Sequence, residues 1–78
     1  MDNSVLERIV INASICNGKP IVRGMRITVE TILEYLAAGD SFEDVLNAYP
    51  ILETQDIQAC SAFAFTKMYN EKIEINLV

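Results

Sequence analysis

The sequence predicts an α+β domain that is mostly α, with an N-terminal β-hairpin followed by a three-helix, helix-turn-helix-like bundle. Three observations predict it: apolar residues alternate over 9–16, they then recur at helical spacing, and Gly or Pro marks each change of period. Because the chain has 78 residues, it has room for one hydrophobic core, and we expect a single domain over 1–78. Its expected parts are a hairpin arm over 1–27, a three-helix core over 28–70 and a C-terminal tail over 71–78.

The hairpin arm begins with a strand predicted over 9–16, where the apolar side chains fall on alternating positions. Asn17-Gly18 follows, and this dipeptide favours a two-residue hairpin turn because both central residues need a positive φ. The returning arm begins at Pro20, which has no N–H to donate and therefore predicts an edge strand. Gly24 predicts a second tight turn.

Two helices are predicted from capping residues and apolar spacing. Thr28 precedes apolar residues at helical spacing and is expected to cap the first helix, which Gly39 ends in a left-handed conformation. Ser41 is expected to cap a short second helix, which Pro50 stops. These two helices should meet at a tight corner.

Thr54 is expected to cap the third and longest helix, which runs to about Tyr69. The apolar surface of this helix is too wide for one small core, and together with the exposed hairpin edge it predicts a homodimer. Residues 72–78 alternate in polarity, which is compatible with a strand, a partner-docking segment or a frayed terminus.

A competing arrangement takes Arg26 to Val29 as a strand followed by two helices. Such a chain would form a ribbon-helix-helix dimer that reads DNA through its ribbon. The long third helix and the hairpin at Pro20 favour the first arrangement.

The net charge of −5 lies entirely in the second half of the chain, because residues 1–39 contain equal numbers of acids and bases. There is no basic residue between Arg26 and Lys67, so this stretch cannot neutralise nucleic-acid phosphates. Any contact with DNA should therefore depend on the first 26 residues. The apolar runs are far shorter than the roughly 20 residues of a bilayer span, so we expect no membrane association.

The residue types argue against an enzyme. The chain has no histidine, so the commonest general base is missing, and we expect no catalytic residues. Cys16 and Cys60 cannot supply a four-ligand zinc set, and we expect neither a metal nor another cofactor. Two cysteines without a denser framework predict reduced thiols in the cytoplasm, with Cys60 in the core.

The second and third helices have the spacing of a helix-turn-helix. If the third helix enters a DNA groove, Thr54, Gln55 and Gln58 near its start are the side chains that can reach base edges. The cations expected to contact the DNA backbone are Lys19, Arg23 and Arg26. Three-helix clusters also occur in small domains that never bind DNA, and surface cations also serve solubility. A purely structural role for these residues therefore stays open as the alternative.

Several spaced motifs follow one another in a fixed order along the chain: Gly18-Lys19-Pro20, Arg23-Gly24-Met25-Arg26-Ile27, Tyr49-Pro50 and Thr54-Gln55-Asp56. With these motifs the chain resembles the family called domain of unknown function 433, over roughly residues 8 to 66. Met25 and Asn17 stand where the family usually has Thr and Gly, respectively. The resemblance implies a helix-turn-helix-like domain that acts as the antitoxin of a bacterial pair, encoded beside a small nuclease-like toxin with a PIN-type fold.

This implied role agrees with the charge distribution, because a nuclease that binds RNA should have a cationic groove that an acidic surface can face. The residues expected to bind such a toxin are Asp40, Glu43, Asp44, Glu53 and Asp56. The resulting function is that of an antitoxin that binds a PIN-like toxin and also the promoter DNA of its own genes. The alternative is a protein-interaction module with a vestigial helix-turn-helix and no DNA binding.

Overall fold

The computed structural model describes residues 3–76, and side chains within residues 5–68. It has a two-stranded antiparallel hairpin followed by three helices, which confirms the predicted α+β class. A one-turn helix before the hairpin was not predicted. In chain order the elements are α1 (Asn3–Leu6), β1 (Ile9–Val10), β2 (Ile21–Val22), α2 (Val29–Ala37), α3 (Phe42–Ala48) and α4 (Thr54–Asn76).

The hairpin is much shorter than predicted. Ile9 pairs with Val22 and Val10 with Ile21, and residues 11–20 form the connection between the two strands. The prediction of a long first strand with a two-residue turn at Asn17-Gly18 is therefore wrong. The residues of this dipeptide do have positive φ values, of 58° and 77°, but they lie in an irregular turn at the end of the connection.

Asn12 explains why β1 ends early. Its side-chain Oδ1 accepts the N–H of Ser14 at 2.9 Å, and its carbonyl accepts the N–H of Ile15, also at 2.9 Å. Such a local turn competes with strand pairing. Ile11 is consequently 63% exposed, so the alternation over 9–16 does not build a buried face.

The strand β2 is hydrogen bonded on both sides, so the prediction that it is an edge strand is wrong. On one side it pairs with β1, and on the other the Val22 N–H donates to the Ile27 carbonyl at 3.0 Å. Ile21 also forms an isolated antiparallel bridge with Thr28. Within the described residues, this bridge is the only strand pairing of the segment from Arg26 to Val29, which the competing ribbon-helix-helix arrangement takes as a strand. Gly24, with φ of 78°, makes the predicted tight turn between these segments.

The ends of α2 are set by local capping, as predicted. The Oγ1 of Thr28 accepts the N–H of Thr31 at 3.1 Å at the start of the helix. At the other end Gly39 has φ of 100°, and the N–H groups of Gly39 and Asp40 donate to the carbonyls of Leu36 and Tyr35. These are the two hydrogen bonds of a Schellman motif, which turns the chain sharply towards α3.

A capping box starts α3. Ser41 Oγ accepts the N–H of Asp44 at 3.1 Å, and Asp44 Oδ2 accepts the N–H of Ser41 at 2.9 Å. The helix ends at Ala48, immediately before Tyr49-Pro50. The predicted corner between two short, capped helices is therefore confirmed.

The helix α4 begins at Thr54, but Thr54 is not its cap. Asp56 Oδ2 accepts the N–H of Glu53 at 2.8 Å, so a carboxylate in the first turn satisfies the amide that precedes the helix. The helix continues past the predicted end at Tyr69, and residues 71–76 form its last turns rather than a separate tail or strand. Leu77 and Val78, the end of the predicted tail, lie outside the described residues.

One hydrophobic core joins the hairpin to α2, α3 and α4 and so fixes the start of α4 against α2 and α3. Cys60 lies in this core, as predicted. The buried members of the core cluster are Val22, Val29, Ile32, Val45, Leu52, Ile57 and Cys60.

We expect Ser41→Ala to lower the free energy of unfolding by about 1 kcal/mol, because it removes the hydroxyl that caps α3. Urea unfolding followed by circular dichroism measures the change. Ser61→Ala, at an exposed position within α4, is the matched control and should cause no loss. Equal losses in the two variants would contradict the capping role.

Candidate functional site

A cluster of three charged side chains connects the hairpin to the start of α4. Arg8 Nη1 donates to Asp56 Oδ1 at 2.9 Å and to Glu53 Oε1 at 3.0 Å. The hydrogen bond with Asp56, followed by that with Glu53, raises the pKa of Arg8. Asp56 is only 3% exposed, yet its two oxygens are both occupied, by Arg8 and by the Glu53 N–H.

This cluster corrects the predicted acidic surface. Asp56 is buried and its carboxylate is paired with Arg8, so this carboxylate is not available to a partner. The Glu53 side chain is 66% exposed but shares Arg8. Sequence reasoning missed Arg8 because its two carboxylates lie 45 and 48 positions away along the chain. Only the capping role of Asp56, three positions after Glu53, could have been recognised from spacing.

The remaining predicted acids, Asp40, Glu43 and Asp44, lie at the junction of α2 and α3, and we call them the acidic corner. Asp40 follows the Schellman turn and is half-buried, whereas Glu43 and Asp44 are exposed in the first turn of α3. Among the described residues, no cation lies within ion-pair distance of these three carboxylates. Acids are favourable at a helix N-terminus, so their charge need not be neutralised internally.

Two tyrosines lie beside the acidic corner. The rings of Tyr35 and Tyr49 meet edge to face, with centroids 5.8 Å apart. The neighbouring Tyr49 side chain, followed by burial and by the negative charge of Asp40, raises the pKa of Tyr35. The two rings and Asp40 line an open depression of about 430 Å³. The acidic corner therefore adjoins aromatic surface with hydroxyl groups.

The predicted base-reading residues are brought together at one end of α4. Thr54, Gln55 and Gln58 are all exposed in the first two turns of the helix. Arg23 lines a small cleft of about 180 Å³ together with Arg8 and Asp56, which places it beside the start of α4.

Neither of the other two predicted cations lines this cleft. Arg26 is exposed near the hairpin turn. Lys19 lies beside α2 instead, where its Nζ donates to Glu30 Oε1 at 3.2 Å. The structure therefore brings Arg23 to the start of α4 but directs Lys19 to a different face.

The Cys60 thiol offers no reactive group at these surfaces. Both cysteines are free, Cys60 buried in the core and Cys16 half-buried near the Arg26 carbonyl. Burial, followed by the negative charge of Asp56, raises the pKa of Cys60 to about 12. The Cys60 thiol is therefore protonated at neutral pH and a poor nucleophile. No group of three potential metal-ligating side chains occurs in the part of the chain that the structure describes.

The fold and these surfaces define a small, mostly helical α+β domain in which a short N-terminal hairpin precedes three helices. Residues 9–64 match the family described as Protein of unknown function (DUF433), and the chain belongs to this family. This confirms the resemblance drawn from the motifs. In addition, none of the helices over the described residues is long and apolar enough to cross a bilayer.

Two individual proteins are similar to this chain. A Sinorhizobium fredii protein described as uncharacterized is 35% identical over 66 residues, which cover 82% of this chain and 30% of that protein. This chain thus spans less than a third of the length of that protein. The crystal structure of a DUF433 member from Anabaena variabilis superimposes with a TM-score of 0.68 at 28% identity, covering 88% of this chain and 66% of that one.

We expect Asp56→Ala to lower the free energy of unfolding by about 2 kcal/mol, because it removes both the cap of α4 and the partner of Arg8. Asp56→Asn keeps an oxygen for the Glu53 N–H and should lower the free energy of unfolding by less. The difference in unfolding free energy between the two variants therefore measures the contribution of the cap. Urea unfolding measures both. Glu53→Gln, which alters only the exposed ion pair, should stay within about 0.5 kcal/mol of the wild type. An Asp56→Ala variant as stable as Glu53→Gln would contradict this role.

Proposed function

We propose that this chain is an antitoxin-type domain that binds a nuclease toxin of the PIN-like class through its acidic corner. The role is one of binding and not of catalysis, and it belongs to the cytoplasm. The observation that carries the proposal is the cluster of carboxylates at Asp40, Glu43 and Asp44, which no described cation neutralises.

Charge complementarity supports a protein partner of this chemistry. A nuclease must attract RNA phosphates, so its substrate groove is cationic. An acidic surface can occupy or cover such a groove and also accelerates the encounter with it. The net charge of −5 acts in the same direction.

Local rigidity also supports the acidic corner as a binding surface. Asp44 is held by the capping box, and Asp40 follows a Schellman turn, so their backbones are fixed before a partner arrives. A preorganised surface loses less conformational entropy on binding than a flexible one. The adjoining Tyr35 and Tyr49 add aromatic surface of the kind enriched at protein interfaces.

We expect Glu43→Lys to weaken binding to the purified product of the neighbouring gene by about tenfold or more, because it places a cation opposite a cationic groove. Titration calorimetry at low and physiological salt measures the affinity. Glu7→Lys is the matched control, since it makes the same charge change at an exposed position outside the acidic corner. Equal affinities for the two variants would count against the acidic corner.

DNA binding by the start of α4 is a second candidate function. It is favoured by the exposure of Thr54, Gln55 and Gln58 and by the position of Arg23 beside them. The pairing of Asp56 with Arg8 also reduces the repulsion that an unpaired acid at this helix start would exert on phosphate. Gln side chains suit adenine edges, and the arginine suits the backbone. The likeness of this chain to a helix-turn-helix agrees with such a role.

We expect the double variant Arg23→Ala/Arg26→Ala to lose binding to labelled DNA from upstream of the gene, because phosphate contacts supply most of the affinity. The mobility-shift titration is made at two salt concentrations, with and without the neighbouring gene product. Lys72→Ala, at a position in the last turns of α4 and far along the helix from its start, is the control. If the wild type gives no shift while the neighbouring product still binds, the chain is a protein-interaction module without DNA binding.

A further inference from the structure

An apolar groove of about 600 Å³ lies between α2 and α4, on surfaces that the proposed function does not use. Most of its lining is carbon, and Met68 on its edge is 68% exposed. An exposed apolar groove rimmed by polar residues is one of the features that mark an interface. The apolar side chains that line it are Pro20, Val29, Leu33, Phe63, Ala64 and Met68.

The charged residues around this groove balance one another. Lys19 and Lys67 on its rim are matched by Glu30 and Glu34, so the groove is neutral on a chain whose net charge is −5. Lys19 and Glu30 already form an ion pair at 3.2 Å. Lys67 lies over the ring of Phe63, and among the described residues neither Lys67 nor Glu34 has an ion-pair partner. Within the described residues, Lys67 and Glu34 thus lie on opposite sides of the groove without a salt-bridge partner.

The molecule exposes more surface than a compact domain of its mass. Its accessible surface is 5444 Å², against about 4700 Å² expected for 8.7 kDa. Its radius of gyration is 13.1 Å, against about 11.5 Å expected for this length.

We propose that the groove between α2 and α4 is the surface by which two copies of this chain associate. Two copies of an acidic protein repel each other, and the repulsion is smallest where their contacting faces are neutral. A two-fold axis places the same patch on both sides, so Lys67 of one protomer can face Glu34 of the other. A strongly cationic partner is attracted instead to the acidic corner, which shares no residue with the groove.

Sedimentation velocity of the full chain over a range of micromolar concentrations tests this proposal. We expect the wild type to form a dimer, and Ala37→Arg to weaken it by about tenfold or more, because the arginine enters the groove without a partner. The matched control is Ala48→Arg. Ala37 and Ala48 are both exposed, and each is the last residue of a short helix, but only Ala37 lines the groove.

A second variant, Lys67→Glu, changes an exposed side chain on the rim and should weaken the dimer without affecting folding, which circular dichroism checks. A monomeric wild type at all concentrations would overturn the proposal. Equal effects of Ala37→Arg and Ala48→Arg on the dimer would also overturn it. The same holds if the protein is a monomer and the groove variants weaken only the binding of the neighbouring gene product. The Glu43→Lys variant changes the acidic corner and leaves the groove intact. Loss of dimer formation and loss of partner binding can therefore be told apart.

Discussion

The contact between Arg8 and Asp56 is the constraint on which the arrangement of this domain depends. Asp56 is buried at the start of α4, and a buried carboxylate is unfavourable unless it is paired and hydrogen bonded. Arg8 supplies the pairing from the residue just before β1, and the Glu53 N–H supplies the second hydrogen bond. The same carboxylate therefore starts the longest helix and fixes the N-terminal arm against it.

This constraint also separates the surfaces of the molecule. With Asp56 internal, the exposed residues at the start of α4 are mainly polar and uncharged, and Arg23 lies beside them. Three described acids without an ion-pair partner, Asp40, Glu43 and Asp44, lie at the junction of α2 and α3, while the groove between α2 and α4 is apolar with balanced charges. Three faces of different chemistry are thus presented by one small core, and each suits a different kind of contact.

The helices could be predicted from the sequence because their signals are local. Thr28, Ser41 and Gly39 each act within four residues of their own position, so spacing alone identifies them. The hairpin could not be predicted in detail, since the turn at Asn12 competes with a strand period that looks regular in the sequence. For the candidate sites, exposure at Glu43 or Gln58 follows from helical periodicity. The burial of Asp56 depends on an arginine far away in the chain and has no local signal.

The hydrogen bonding of β2 on both sides has a consequence for how this protein can assemble. A strand that already pairs with β1 and with the segment around Thr28 offers no free row of amides and carbonyls to another polypeptide. The outer strand, β1, is only two residues long and is followed at once by the turn at Asn12, which makes it a poor template for strand addition. Association by extension of the sheet, and the edge-to-edge aggregation that accompanies it, is disfavoured by this geometry. Partners must be recognised through side chains, where a single substitution can alter specificity.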